Sequence, residues 1–82
     1  MALELEVAIP EKQLVSTTAD SVQVPGADGY LGILPGHAAL LSELGSGELS
    51  YVSGGKTETL KISGGYVEVR DNHVRVLADK VE

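Results

Sequence analysis

Leu3-Glu4-Leu5-Glu6-Val7-Ala8-Ile9 opens the chain with strict alternation: Leu3, Leu5, Val7 and Ile9 share one phase, and Glu4, Glu6 and Ala8 share the other. Side chains of an extended strand alternate between its two faces, so this run reads as a half-buried β-strand about seven residues long. The same period recurs downstream. Pro10-Glu11 breaks the first strand, and Lys12 to Thr18 reads as a second, weaker one. Val22 and Val24 form the inward phase of a third, and Pro25-Gly26-Ala27-Asp28-Gly29 is dense in turn formers. Leu49 to Val52 and Thr57 to Ile62 flank Ser53-Gly54-Gly55-Lys56, the pattern of a hairpin with a glycine-containing loop. Val67 and Val69 alternate with Tyr66, Glu68 and Arg70, and Asp71-Asn72 makes a tight connection to His73-Val74-Arg75-Val76-Leu77. Strand signals spaced this closely predict an all-β sandwich or barrel. Ala38 to Leu44 is the only stretch carrying helix formers, and it is too short for an independent helix.

The bulk properties narrow the function. Eighty-two residues, 1–82, are read as one domain. With no Cys, neither a disulfide nor a thiolate zinc site can supplement the core. Twelve acidic against six basic residues leave a net charge of −6, and the only aromatics are three Tyr. An acidic surface repels phosphate backbones and offers little for bases to stack on, so no nucleic-acid partner is expected. The longest apolar run, Ala38 to Leu41, has four residues, whereas a membrane-spanning helix needs about twenty. No direct insertion into lipid is expected.

Signs of chemistry are weak. Gly55-Lys56-Thr57 ends like a phosphate-binding loop, but Ser50 stands where that motif needs its first Gly, and the following residues alternate like a strand. His37 could be paired with Ser42 and a carboxylate in a hydrolase, yet no Ser lies in a G-x-S-x-G elbow. Spacing leaves open a metal site from His37, His73 and an acid, although lone histidines in turns are ordinarily solvated, and His73 reads as surface. No catalytic residue, metal or cofactor is expected.

One segment exceeds what building a sandwich requires. From Pro25 to His37, thirteen residues include four Gly and two Pro, and apolar residues follow at once. A stiff loop loses little entropy on binding, which suits recognition; a chain reversal whose Leu and Ile fill the core explains the same residues. Here the chain resembles a known family. Pro25-Gly26-Ala27-Asp28-Gly29 followed by Gly32-Ile33-Leu34-Pro35-Gly36-His37-Ala38 is similar to the signature of the ε subunit of F-type ATP synthases, called δ in mitochondria. Leu3 to Val7, Gly47-Glu48-Leu49, Ser63-Gly64-Gly65-Tyr66-Val67-Glu68-Val69 and then Asn72, Val74, Val76, Leu77, Ala78 and Asp79 resemble that family in order.

The resemblance implies a flattened β-sandwich of about ten short strands and a place on the central stalk, coupling the membrane rotor ring to the γ subunit during proton-driven ATP synthesis. It implies a non-catalytic subunit, monomeric when isolated. It also implies a peripheral membrane complex on the cytoplasmic face of the inner membrane, or on the stromal face of a thylakoid. By matching position, Asp28, Tyr30 and His37 are expected to face the ring, and Ala38, Ala39, Leu40, Leu41 and Ser42 to lie near γ. Three departures stand out: Tyr30 where a charged or polar residue is frequent, Ala39 where Pro is common, and an end at Lys80-Val81-Glu82. The last leads to the expectation that the C-terminal helical hairpin, associated with inhibition of ATP hydrolysis, is missing. The competing reading is an unrelated β-sandwich adaptor.

Overall fold

A computed structural model describes residues 2–82. Eight strands follow one another: β1 (Leu3–Ile9), β2 (Lys12–Ala19), β3 (Ser21–Gly26), β4 (Gly29–Ile33), β5 (Leu40–Glu43), β6 (Ser46–Ser53), β7 (Lys56–Arg70) and β8 (His73–Val81). There is no helix among the described residues. The ladder runs β2-β1-β8-β7-β6-β3-β4, with β5 joined to β7. All pairs are antiparallel except β1 with β8, which bring Leu5 beside Val74 and Val7 beside Val76 in parallel.

The ladder branches at β7. One flank of β7 pairs with β6 from Lys56 to Ser63 and then with β5 from Tyr66 to Val69. Between these stretches Gly64 and Gly65 take φ of 70° and 111°, a left-handed path open to glycine. The strand therefore bends without ending, and β8 follows it across the bend from Ile62 to Arg70. Eight strands stand where about ten short ones were expected, and this bend accounts for one of the difference: Thr57–Ile62 and Tyr66–Arg70, separate by their alternation, are one strand of 15 residues.

The inward phases meet in one apolar cluster. Leu3, Leu5 and Val7 of β1, Val74, Val76 and Ala78 of β8 and Val67 and Val69 of β7 pack with Val22, Val24, Ile33, Leu49 and Ile62 from the other strands. No polar or charged residue is buried among the described residues, so the core carries no desolvation penalty from unpaired groups. The hairpins obey their turn chemistry. Asp71 and Asn72, with φ of 49° and 62°, form the two-residue loop between β7 and β8, and Gly54-Gly55, at 58° and 79°, form that between β6 and β7. Two consecutive positive φ values give a turn whose twist matches the flanking strands.

Two segments differ from the simplest alternation. In β2 the register slips opposite Val7 and Ala8, which leaves Leu14 unpaired and explains why this strand reads as weak. Leu40–Glu43, within the stretch rich in helix formers, is strand β5, because an open flank of β7 offers its backbone a ladder.

Candidate partner-binding site

The Pro- and Gly-rich segment becomes the β3–β4 hairpin, a turn at Pro35-Gly36, and β5. The hairpin tip leans on β5: Ala27 N donates to Glu43 O at 3.0 Å, and Gly45 N donates to Pro25 O at 2.9 Å. These bonds bring Asp28 and Tyr30 to the same open cleft as Leu41 and Ser42, a space of about 410 Å³ also lined by Leu31 and Glu43. Tyr30 lies within β4 beside the tip.

His37 lies elsewhere, beyond the far end of β4. Its backbone N donates to Leu34 O at 3.0 Å, its Nδ1 is 2.8 Å from Ala38 O, and the neighbouring Gly36 N donates to Asn72 Oδ1 at 2.7 Å. The residues expected to face the ring thus fall into two groups, Asp28 with Tyr30 at one end of β4 and His37 at the other. Of the residues expected near γ, Ala38 and Ala39 are exposed on the approach to β5, Leu40 and Ser42 are half-buried, and Leu41 points outward. His73 is on the surface, paired with the Glu4 carboxylate.

Two features escaped the reading of the sequence. The first is an apolar patch on the outer face of the β5–β7–β8 layer. Leu41 is 71% exposed, Tyr66 54% and Leu77 51%; Tyr66 and Leu77 are paired across β7 and β8. With Glu68 and Arg75 they line a shallow, almost wholly apolar depression of about 320 Å³. A signal was available: Tyr66 and Leu77 occupy the outward phase of strands whose inward phase is already filled by valines. The rim is charged, with Arg75 3.7 Å from Glu6 across to β1. So exposed a pair stabilises the fold little.

The second is Asn72, which does more than turn the chain. Its carbonyl accepts from Glu4 N at 2.8 Å and its side chain accepts from Gly36 N, joining β1, the β7–β8 hairpin and the His37 turn. Asn72→Gly keeps the left-handed conformation but removes the side-chain acceptor, and should cost about 1 kcal/mol. Asn72→Asp retains an acceptor. Amide hydrogen exchange checks this: Gly36 should exchange faster in the Gly variant and near the wild-type rate in the Asp variant.

Strands, core and outward apolar patch together define a small β-sandwich domain with the kind of exposed surface that marks protein contact. Residues 2–82 match the family described as "ATP synthase, Delta/Epsilon chain, beta-sandwich domain", and the chain belongs to that family. Membership sets aside an unrelated adaptor. The ATP synthase epsilon chain of Solibacter usitatus (strain Ellin6076) is 56% identical over 80 residues, 98% of this chain and 60% of that protein. That of Koribacter versatilis (strain Ellin345) is 46% identical over 79 residues, 96% of this chain and 56% of that protein. The chain therefore spans less than two thirds of the length of these relatives. The fold is shared with a chain of the Euglena gracilis mitochondrial ATP synthase in an OSCP/F1/c-ring assembly, at TM-score 0.90 and 24% identity, over 99% of this chain and 52% of that one. It is shared too with a chain of the Tetrahymena thermophila mitochondrial ATP synthase, central stalk and c-ring, at TM-score 0.81 and 18% identity, over 98% and 65%.

Proposed function

We propose that this domain serves as a non-catalytic part of the ATP synthase central stalk, holding the γ subunit and the membrane rotor ring together as proton flow drives ATP synthesis. On this reading the outer apolar face, with Leu41 at its edge and Ala38 to Ser42 leading into it, lies against γ. The hairpin edge bearing Asp28 and Tyr30 is turned to the ring, and His37 marks the opposite end of the same contact. The domain is peripheral to the membrane, on its cytoplasmic or stromal side, and passes torque between its partners without touching the phosphates being joined.

The observation that carries this reading is the exposure of Leu41, 71%, beside Tyr66 and Leu77 in a family whose members include ATP synthase epsilon chains. An aliphatic side chain that exposed, continuous with an aromatic and a second Leu, gains most from a partner that covers it. Site-directed cross-linking tests the arrangement. Cysteine at Leu41 should cross-link to γ and cysteine at Asp28 to the ring, each well above a control cysteine at Lys56 in the β6–β7 hairpin. Equal, low yields at all three positions would count against the proposal.

A further inference from the structure

Gly47 is the only glycine of β6, and its backbone does not need to be glycine, because its φ is not in the left-handed region. Space explains it. A Cβ on Gly47 would stand 2.5 Å from Tyr30 Oη, 3.3 Å from Tyr30 Cζ and 3.0 Å from Pro25 Cβ. The Tyr30 ring therefore lies in the place where a side chain of β6 would be. It can reach that place because β3 pairs with β6 only through Ser21, Val22 and Gln23, so the flank of β6 at Gly47 and Glu48 is not covered by a strand. Glu48 N donates instead to Tyr30 Oη at 3.1 Å.

That bond decides what the phenol can offer. An oxygen accepting from an amide turns its own hydrogen outward, and among the described residues no acceptor takes that hydrogen. Accepting one bond also polarises the O–H as a donor for the next. Tyr30 is 55% exposed and forms the ridge between two clefts, that of Asp28, Leu41 and Glu43 and that of Ser46, Lys61 and Ser63. Carboxylates outnumber cations on both sides: Asp28 and Glu43 line the first cleft, and Glu48 and Glu82 stand against the one ammonium of Lys61 in the second. A carboxylate acceptor arriving at the ridge would meet like charge, whereas a neutral carbonyl would not.

We infer that Tyr30, seated on Gly47 and held by Glu48 N, is a pre-positioned donor that recognises a main-chain carbonyl on a loop of the partner protein. The inference rests on the proposed contact with the rotor ring and specifies its chemistry: a tyrosine hydrogen donated to a main-chain carbonyl. Seating the ring beforehand removes much of the ordering cost of forming the bond.

The test measures the affinity of this chain for the detergent-solubilised ring assembled with γ. Tyr30→Phe keeps the ring over Gly47 but has no hydroxyl, and should bind about five- to tenfold more weakly with little change in melting temperature. Gly47→Ala displaces the ring and should lose as much. The double variant should lose no more than the weaker-binding single one, since both act through the same hydroxyl. If Gly47→Ala fails to fold, Tyr30→Phe alone decides. Wild-type affinity in Tyr30→Phe, with the unsubstituted chain bound to the ring, overturns the inference and leaves the functional reading standing. An unsubstituted chain that does not bind the ring overturns both.

Discussion

Replacing Gly65 with Ala is expected to lower stability by about 4 kcal/mol or more, enough to leave much of the protein unfolded at 37 °C. Two independent effects add. Gly65 holds φ of 111°, where any residue with a Cβ is strained by roughly 1–3 kcal/mol. The new methyl would also be driven into the Leu77 carbonyl oxygen and to within 2.8 Å of Ala78 Cα. Those atoms cannot easily retreat, because β8 is clamped between β7 and β1 along this stretch, with Val76 paired to both Val67 and Val7. A domain of this length has only about 4–12 kcal/mol to lose. Gly32→Ala is the matched control: a Cβ there meets nothing within 4 Å, and the backbone is not left-handed. Urea unfolding of the two variants should separate them by several kcal/mol. A Gly65→Ala protein as stable as Gly32→Ala would mean that β7 can straighten without loss.

The bend at Gly65 also marks where reading the sequence reaches its limit. Alternation alone located β1, β3, β6 and β8, because each buries one face and leaves the other wet, and the Gly54-Gly55 and Asp71-Asn72 turns were legible from residue type. Alternation has no means of telling a strand that bends from a strand that ends, so β7 read as two. It missed β5 as a strand because Leu40 to Glu43 owes its conformation to the vacant flank of β7, a partner about 25 residues away in the chain. The site divides along the same line. Asp28, Tyr30, His37 and the residues from Ala38 to Ser42 were named through resemblance; that Asp28 and Tyr30 share a cleft with Leu41 and Ser42 while His37 stands apart depends on how the β3–β4 hairpin leans on β5. The seat of Tyr30 on Gly47 is likewise a contact between residues seventeen positions apart, and nothing local to either one announces it.

Val76 and Leu77 are neighbours in β8 and should respond to the same substitution in opposite ways. Val76 is 0% exposed and Leu77 51%, because consecutive side chains of a strand point to opposite faces. Val76→Asp places a carboxylate among Val7, Val67 and other apolar side chains with no cation or donor inside the core to receive it. The charge must be neutralised or the fold opened, at a cost of about 4 kcal/mol or more. Far-UV circular dichroism should report loss of the β signal or a steep fall in melting temperature. Leu77→Asp adds its carboxylate to a wet surface, two residues from Arg75, and should change stability by only about 0.5 kcal/mol. Its effect belongs to assembly. If the face of Leu41, Tyr66 and Leu77 lies against γ, a charge at its centre removes an apolar anchor and must itself be desolvated when γ covers it. Truncating such an anchor typically costs about 2 kcal/mol or more, which is roughly thirtyfold in affinity, before the buried charge is counted. Leu77→Asp should therefore remain folded and fail to co-purify with γ, and Leu77→Ala should fall between it and the wild type. A folded Leu77→Asp variant that retains γ at wild-type yield would move the γ contact off this face of the sandwich.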